Sequence, residues 1–309
     1  MQWHKLMGFG IGLGFWAMAA PAQAYNDEHR QQLLETNECQ NCDLSGIDLS
    51  GADLQRAKLA GSNLIDAKLT GADLDFADLT GANLTLADLN NAKLEASTLD
   101  QAILLRADLE NAKLKTAILT RAILTHAKLQ GANLNDANLI EAEISDADLS
   151  NTKIRRAKLI EANLRNTNLN NADLRNSRLN QANLSLANLQ VADLSNANLS
   201  HADLTRAILD EATLQSTDLG AVTLRDAHMR EATLRNANLR QANLRNIMLS
   251  NSDLRNADLS YSDLRNADLS DSDMRNADIT GVELDTVNLC NTKLPDKSVS
   301  DQGCHRRGE

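Results

Sequence analysis

The sequence predicts an all-β fold, a right-handed quadrilateral parallel β-helix with a short N-terminal capping helix. Three observations predict it. First, an aliphatic residue returns at every fifth position. Of the 51 positions ending in 4 or 9 from Leu44 to Leu294, 46 are Leu, and the others are Ile144, Ile154, Met229, Met274 and Ile279. Second, a small residue, mostly Ala, stands two places earlier; the exceptions include Ser62, Ser97, Thr152, Thr167, Val222 and Ile247. Third, the remaining three places are mostly Asp, Asn, Lys, Arg, Ser, Thr and Gly, and no insertion breaks the register.

Neither regular element accepts a period of five. In an α-helix a five-residue step turns about 500°, so successive leucines lie about 140° apart and form no stripe. In a flat strand an odd step sends successive leucines to opposite faces. The pattern needs a chain that turns a corner once per repeat. Four five-residue sides then close one coil of twenty residues. Coils stacked at the strand spacing of roughly 4.8 Å give about 12 to 13 turns and a rod roughly 60 Å long. Leu and the small residue point to a thin axial core and the polar residues point out. Parallel crossovers of this kind are right-handed.

The tandem DLSG, ANLTL, AKLQG and ADLRN units resemble the pentapeptide-repeat family. The resemblance covers residues 39 to about 294 and implies the quadrilateral coil of that family.

Outside the grid, residues 1–24 read as a secretory signal peptide. Lys5 supplies positive charge, GFGIGLGFWAMAA is a short apolar run, and Ala22-Gln23-Ala24 is a small-x-small cleavage signal. Cleavage after Ala24 places the chain in an exported compartment, the periplasm or a thylakoid lumen. No other stretch is apolar enough to cross a bilayer, so no membrane span is expected in the mature chain. Residues 25–38 (YNDEHRQQLLETNE) predict a helix, with Asn26 as its cap and Asp27 and Glu28 in the first turn. It is assigned to cover the first coil, because a solenoid end exposes core and unpaired edges. Residues 39–294 form the solenoid. The tail 295–309 closes the other end, with Pro295 expected to stop the ladder by removing a donor.

Cys39, Cys42, Cys290 and Cys304 form two pairs. An even count in an exported chain points to disulfides. CxxC also fits a redox pair or half a zinc site. Zinc needs four ligands together, whereas the pairs fall at opposite ends of the rod. The resemblance to family members with CxxC just before the first DLSG implies a structural role near the cap.

The sequence offers no catalytic constellation, cofactor motif or metal signature. His29, His126, His201, His228 and His305 do not pair with one another. Asp53 and Asp73, or Asp253 and Asp273, stack as carboxylates, but such pairs recur along the wall without a cleft. Two outward features stand out instead. Arg225, Arg230, Arg235 and Arg240 take equivalent places on four successive sides of one coil, with Arg245 and Arg265 above Arg225. Leu86, Ile103, Leu105 and Ile123 on one side, and Ile118, Ile140 and Ile160 on the adjacent side, make an outward apolar patch.

These features predict a non-catalytic binding rod for an unidentified protein partner or a second copy of the chain. Two alternatives carry less. Some pentapeptide-repeat proteins resemble duplex DNA and shield DNA gyrase; this chain shares a net charge of −11, but arginines interrupt its surface and its central places hold no Phe. The other is a thiol-redox role for Cys39 and Cys42. Direct nucleic-acid binding is not expected of an acidic chain with few aromatic residues.

Overall fold

Each side of the coil supplies a single bridged residue rather than a strand. The computed structural model describes residues 26–304; the cleavage signal before them and His305 lie outside the described residues. Parallel bridges join the outward residues to those twenty positions on, from Glu38↔Lys58 to Asp273↔Lys293, with Asp263 and Glu283 the one pair skipped. The coil therefore has four sides. Side one carries Leu44 and Leu64 at its centre, side two Leu49, side three Leu54 and side four Leu59, each repeating every twenty residues.

One repeat shows why five residues suffice. In repeat 72–76, Asp73 N–H donates down to the Ala52 carbonyl, and Leu74 and Phe76 N–H donate up to Lys93 and Glu95 carbonyls, all at 2.7–2.9 Å. Ala77 N–H closes the corner on the Leu74 carbonyl at 3.0 Å. The remaining donor, Asp75 N–H, goes to Asp73 Oδ1 at 3.3 Å. That last bond explains the Asp or Asn before each leucine: its side chain turns back on the backbone two residues on. Where Ser or Thr follows the leucine, its hydroxyl joins in, as Thr80 does to Asp78 at 2.6 Å. With two of five residues spent on the turn, no side is long enough to be a regular strand. The all-β expectation holds as a ladder of bridges.

The corners demand left-handed backbone. Every corner residue from Asn41 to Asn291 has φ near +60° except Thr286. Such turns need positive φ at their third residue. Gly51 and Asn151 adopt it at little cost; Val191 at φ 60 and Thr116 at φ 57 are β-branched outliers held by the coils above and below.

The core is one column of leucines with alanines between, fully buried from Leu44 to Leu269. Most buried hydroxyls in the alanine column are satisfied, as Ser62 is on the Leu59 carbonyl at 2.6 Å and Ser272 on Leu249 at 2.7 Å, while Ser262 Oγ has no partner among the described residues. At the N-terminal end α1 (Asp27–Thr36) plugs the first coil. Asn26 Oδ1 accepts Glu28 N–H at 2.9 Å and Leu33 is buried. At the other end the chain reverses after Leu294, and Lys293 pairs with Val299 in antiparallel fashion. Pro295 does not stop the ladder as expected. It occupies the place after the central leucine, whose N–H the ladder never uses, and its carbonyl still accepts Asn276 N–H at 3.2 Å. The Leu294–Lys297 turn, with Lys297 at φ 73, redirects the chain instead.

Candidate partner-binding surface

The outward wall is mostly neutralised from within. Bidentate pairs form inside single repeats: Arg275 Nε lies 2.9 Å from Asp273 Oδ1 and its second nitrogen 2.6 Å from Oδ2. Others tie adjacent coils, such as Arg156 to Asp136 at 2.7 Å and Lys93 to Asp73 at 2.8 Å. The Arg275 and Arg265 guanidiniums hold the Asp273 and Asp263 carboxyls below the usual carboxylate range. The stacked Asp53 and Asp73 do bridge, but Asp73 binds Lys93 and Gln55. These carboxylates are structural. Among the described residues no group of three or more His, Cys, Asp or Glu side chains could hold a metal.

The arginine belt points four ways. Arg225 pairs with Asp226 at 3.4 Å and Arg235 with Asp253. The Arg230 guanidinium meets Met248 Sδ at 3.0 Å, and Arg240 stacks on the Tyr261 ring with 5.3 Å to the centroid. One flat partner cannot touch all four.

The apolar patch is more coherent. On side one Ile103 bridges Ile123, and Leu86 N–H bonds the Leu105 carbonyl. On side four Ile118 lies one corner away, and Ile140 and Ile160 occupy one column twenty residues apart. Leu86 is 51% exposed, Ile118 40% and Ile123 37%; Ile103, Leu105, Ile140 and Ile160 are half-buried.

A second outward cluster was missed by sequence reasoning. Ile208, His228 and Met248 bridge in one column of side two, with Leu186 exposed at the corner. Counting in steps of twenty would have found it, but the histidine between the two apolar residues hides the column from a search for isoleucine and leucine.

Both cysteine pairs are disulfides. Cys39–Cys42 sits inside the first turn and Cys290–Cys304 ties the reversed tail to side two. Cys39 is fully buried and Cys42 nearly so, which denies an attacking thiolate a path to either sulfur. No described helix is long and apolar enough to cross a membrane.

The family model for pentapeptide repeats matches in eight copies, between them reaching from residue 38 to 291. A search of curated proteins finds no match. Among solved structures, the chain is similar to HetL, a pentapeptide repeat protein involved in heterocyst differentiation regulation in the cyanobacterium Nostoc sp. strain PCC 7120. The identity is 28%, over 88% of this chain and 97% of that one, with a TM-score of 0.32. QnrB1, a plasmid-mediated fluoroquinolone resistance protein, is 20% identical over 65% of this chain and 90% of its own, with a TM-score of 0.31. A pentapeptide repeat protein from the Arabidopsis thaliana thylakoid lumen is 25% identical over 36% and 63%, with a TM-score of 0.19. With eight repeat copies matched across the whole solenoid, the chain belongs to the pentapeptide repeat family.

Proposed function

We propose that this protein is a non-catalytic binding rod that docks a protein partner in an exported compartment, through the apolar patch on sides one and four. One observation carries the reading. Outward places are mostly polar, and apart from the Leu186, Ile208 and Met248 cluster the main apolar grouping is on sides one and four, where Leu86, Ile118 and Ile123 expose large aliphatic side chains. Neither the ladder nor the core needs them there, since Asp, Asn or Lys serve the same columns elsewhere, as at Asp43, Asn63, Asn138 and Lys158. Grouped exposed apolar side chains mark contact sites. A rigid ladder also holds its contacts with little ordering cost on binding.

The test is co-purification with the full-length chain as bait, from the compartment that holds it. The expected result is a specific protein retained by the natural chain and lost from a variant carrying Leu86→Ser, Ile118→Ser and Ile123→Ser. Equal retention by both would overturn the assignment of the patch. Mimicry of duplex DNA is the second reading, resting on the net charge of −11. The arginine–aspartate pairs argue against it, because they neutralise the carboxylates a phosphate mimic must leave bare.

A further inference from the structure

Side one continues past the apolar patch into a cationic recess. Four successive coils place Arg165, Ser185, Thr205 and Arg225 in one outward column. The middle two are short. Ser185 and Thr205 fold back onto Asn183 and Asp203 Oδ1 at 2.7 and 2.6 Å, which leaves room between the two arginines. Arg165 leans into that space and donates to Ser185 Oγ at 3.1 Å. Arg206 flanks it from the corner column, and Leu186 forms part of the floor. The resulting recess measures about 170 Å³.

Its charge is not balanced. Among the described residues Asp226 is the only carboxylate within ion-pair reach of these three guanidiniums, 3.4 Å from Arg225 and 3.9 Å from Arg206. Arg165 pairs with no carboxylate among the described residues. Asp203 lies in the same side, with Oδ1 occupied by Thr205. Where an aspartate stands two residues back, arginines at this place bind it, as Arg175, Arg255, Arg265 and Arg275 do. Arg165 and Arg225 cannot, because Asn163 and Thr223 stand where that aspartate would be. Neither therefore has an aspartate of its own repeat segment to fold back on, and Arg225 shares Asp226 with Arg206.

The surroundings say what the recess takes. Around the corner Arg206 also borders a larger hollow, about 510 Å³, walled by Ile208 and Met248 with His228 and Asn246, and by Asp226, which is already paired with Arg225 and Arg206. Ile208 is 39% exposed. A cationic recess and an apolar hollow thus share one arginine. A polyanion such as nucleic acid suits neither the hollow nor a rod of net charge −11. A single carboxylate flanked by an aliphatic side chain suits both, since arginine forks bind carboxylate in bidentate fashion.

We infer that Arg165, Arg206 and Arg225 form the anchor for an acidic side chain in an extended acidic–apolar segment of the partner, with the neighbouring aliphatic residue on Ile208 and Met248. This rests on the binding-rod reading and adds a chemical class to the partner. The test uses fluorescein-labelled octapeptides alternating Glu with Leu, Lys with Leu, or Glu with Ser, and anisotropy with the full chain at low and high salt. The Glu/Leu peptide is expected to bind at least ten-fold more tightly than either other peptide, and to weaken with salt. Arg165→Gln, Arg206→Gln and Arg225→Gln together should lower its affinity at least ten-fold, and Ile208→Ser several-fold. Arg255→Gln, on side three away from both surfaces, should leave it unchanged. All these side chains point outward, and an unchanged circular dichroism spectrum checks the fold. Equal binding of Glu/Leu and Lys/Leu peptides, or no loss in the triple variant, would overturn the inference. Partner retention by the triple arginine variant, with loss in the patch variant, would sink the anchor while leaving the binding-rod reading intact.

Discussion

The two ends of the rod solve one problem differently. At the N-terminal end a ten-residue helix lies against the first coil and is stitched to it: Asn26 N–H reaches the Asp43 carbonyl, His29 Nδ1 accepts Asp43 N–H at 2.9 Å, and Asn37 Nδ2 holds the Gln55 carbonyl at 2.8 Å. At the C-terminal end the tail pairs with sides two and three of the last coil and reaches side one only through the Gln302 amide, which donates to the Leu284 carbonyl at 2.6 Å. It pairs Asn291 with Ser300 and Leu289 with Gln302. Side one has no backbone pairing from the tail, and there the ladder opens. No bridge joins Asp263 to Glu283, and Asn266 N–H takes the Thr286 hydroxyl instead of the Asp285 carbonyl. Thr286 is also the one corner that leaves the left-handed region. The comparison teaches that each left-handed corner is imposed by coils on both sides. Where one neighbour is missing, a β-branched residue relaxes.

The strongest way to break the comparison is to damage the middle. Leu159 is buried between complete coils, whereas Leu284 lies partly exposed in the opened side. Leu159→Ala should cost about 2–5 kcal/mol. Leu284→Ala should cost about 1 kcal/mol, because much of its area already meets water. Hydrogen exchange is the fitting readout, since a solenoid is stabilised coil by coil. Leu159→Ala should speed exchange in the flanking coils on both sides. If Leu284→Ala proves the more damaging, the C-terminal coil is not the loose one.

A smaller effect separates the two clasps. In the chain-entropy model the Cys290–Cys304 loop contributes roughly 3 kcal/mol and the much shorter Cys39–Cys42 loop roughly 2 kcal/mol. Cys290→Ser with Cys304→Ser should release the tail and expose sides two and three. Cys39→Ser with Cys42→Ser should loosen α1 less, because the helix keeps its hydrogen bonds to Asp43 and Gln55. Urea midpoints and exchange at each end compare them directly; a larger loss at the N-terminal end would reverse the ranking.

Much of this was legible in the chain. The register of Leu44 to Leu294 dictated the square coil, and Asn26 with Asp27 and Glu28 dictated the helix. The arginine belt was legible as a pattern, but its fate was not. Whether an arginine binds its own repeat depends on the residue two places back, and Asn163 and Thr223 matter only once that contact is known. Pro295 misled for a related reason. A missing donor matters only where the ladder wants one, and that place never does. The Ile208–Met248 column was hidden because its members are forty residues apart. The opening at Glu283 has no sequence signal beyond Thr286 at a corner place, and Thr116 at another corner stays in register between neighbours.

Acid gives the smallest and most local test of the same asymmetry. The Arg275 and Arg265 guanidiniums, bound to Asp273 and Asp263, hold both carboxyls below their usual range. A group whose folded pKa is depressed favours folding above its unfolded pKa, near 3.8 for these aspartates. That contribution is complete above about pH 5 and is lost as pH falls through the folded value. Asp43, at the N-terminal cap, is lowered first by the Ser45 hydroxyl rather than by an arginine. Salt therefore separates the ends. Between pH 5 and 3 the last two coils should gain exchange rate, and high salt at pH 7 should mimic part of that gain by screening the arginine pairs. The cap should respond to acid but hardly to salt, since a hydroxyl bond has no net charge to screen. Both pairs are partly exposed, so each shift is a modest one. Arg275→Ala should reduce the acid response of the last two coils, because the largest cause of the lowered Asp273 carboxyl, the Arg275 guanidinium, is then gone. An undiminished response in that variant would show that the C-terminal coil opens under acid for a reason other than its arginine pairs.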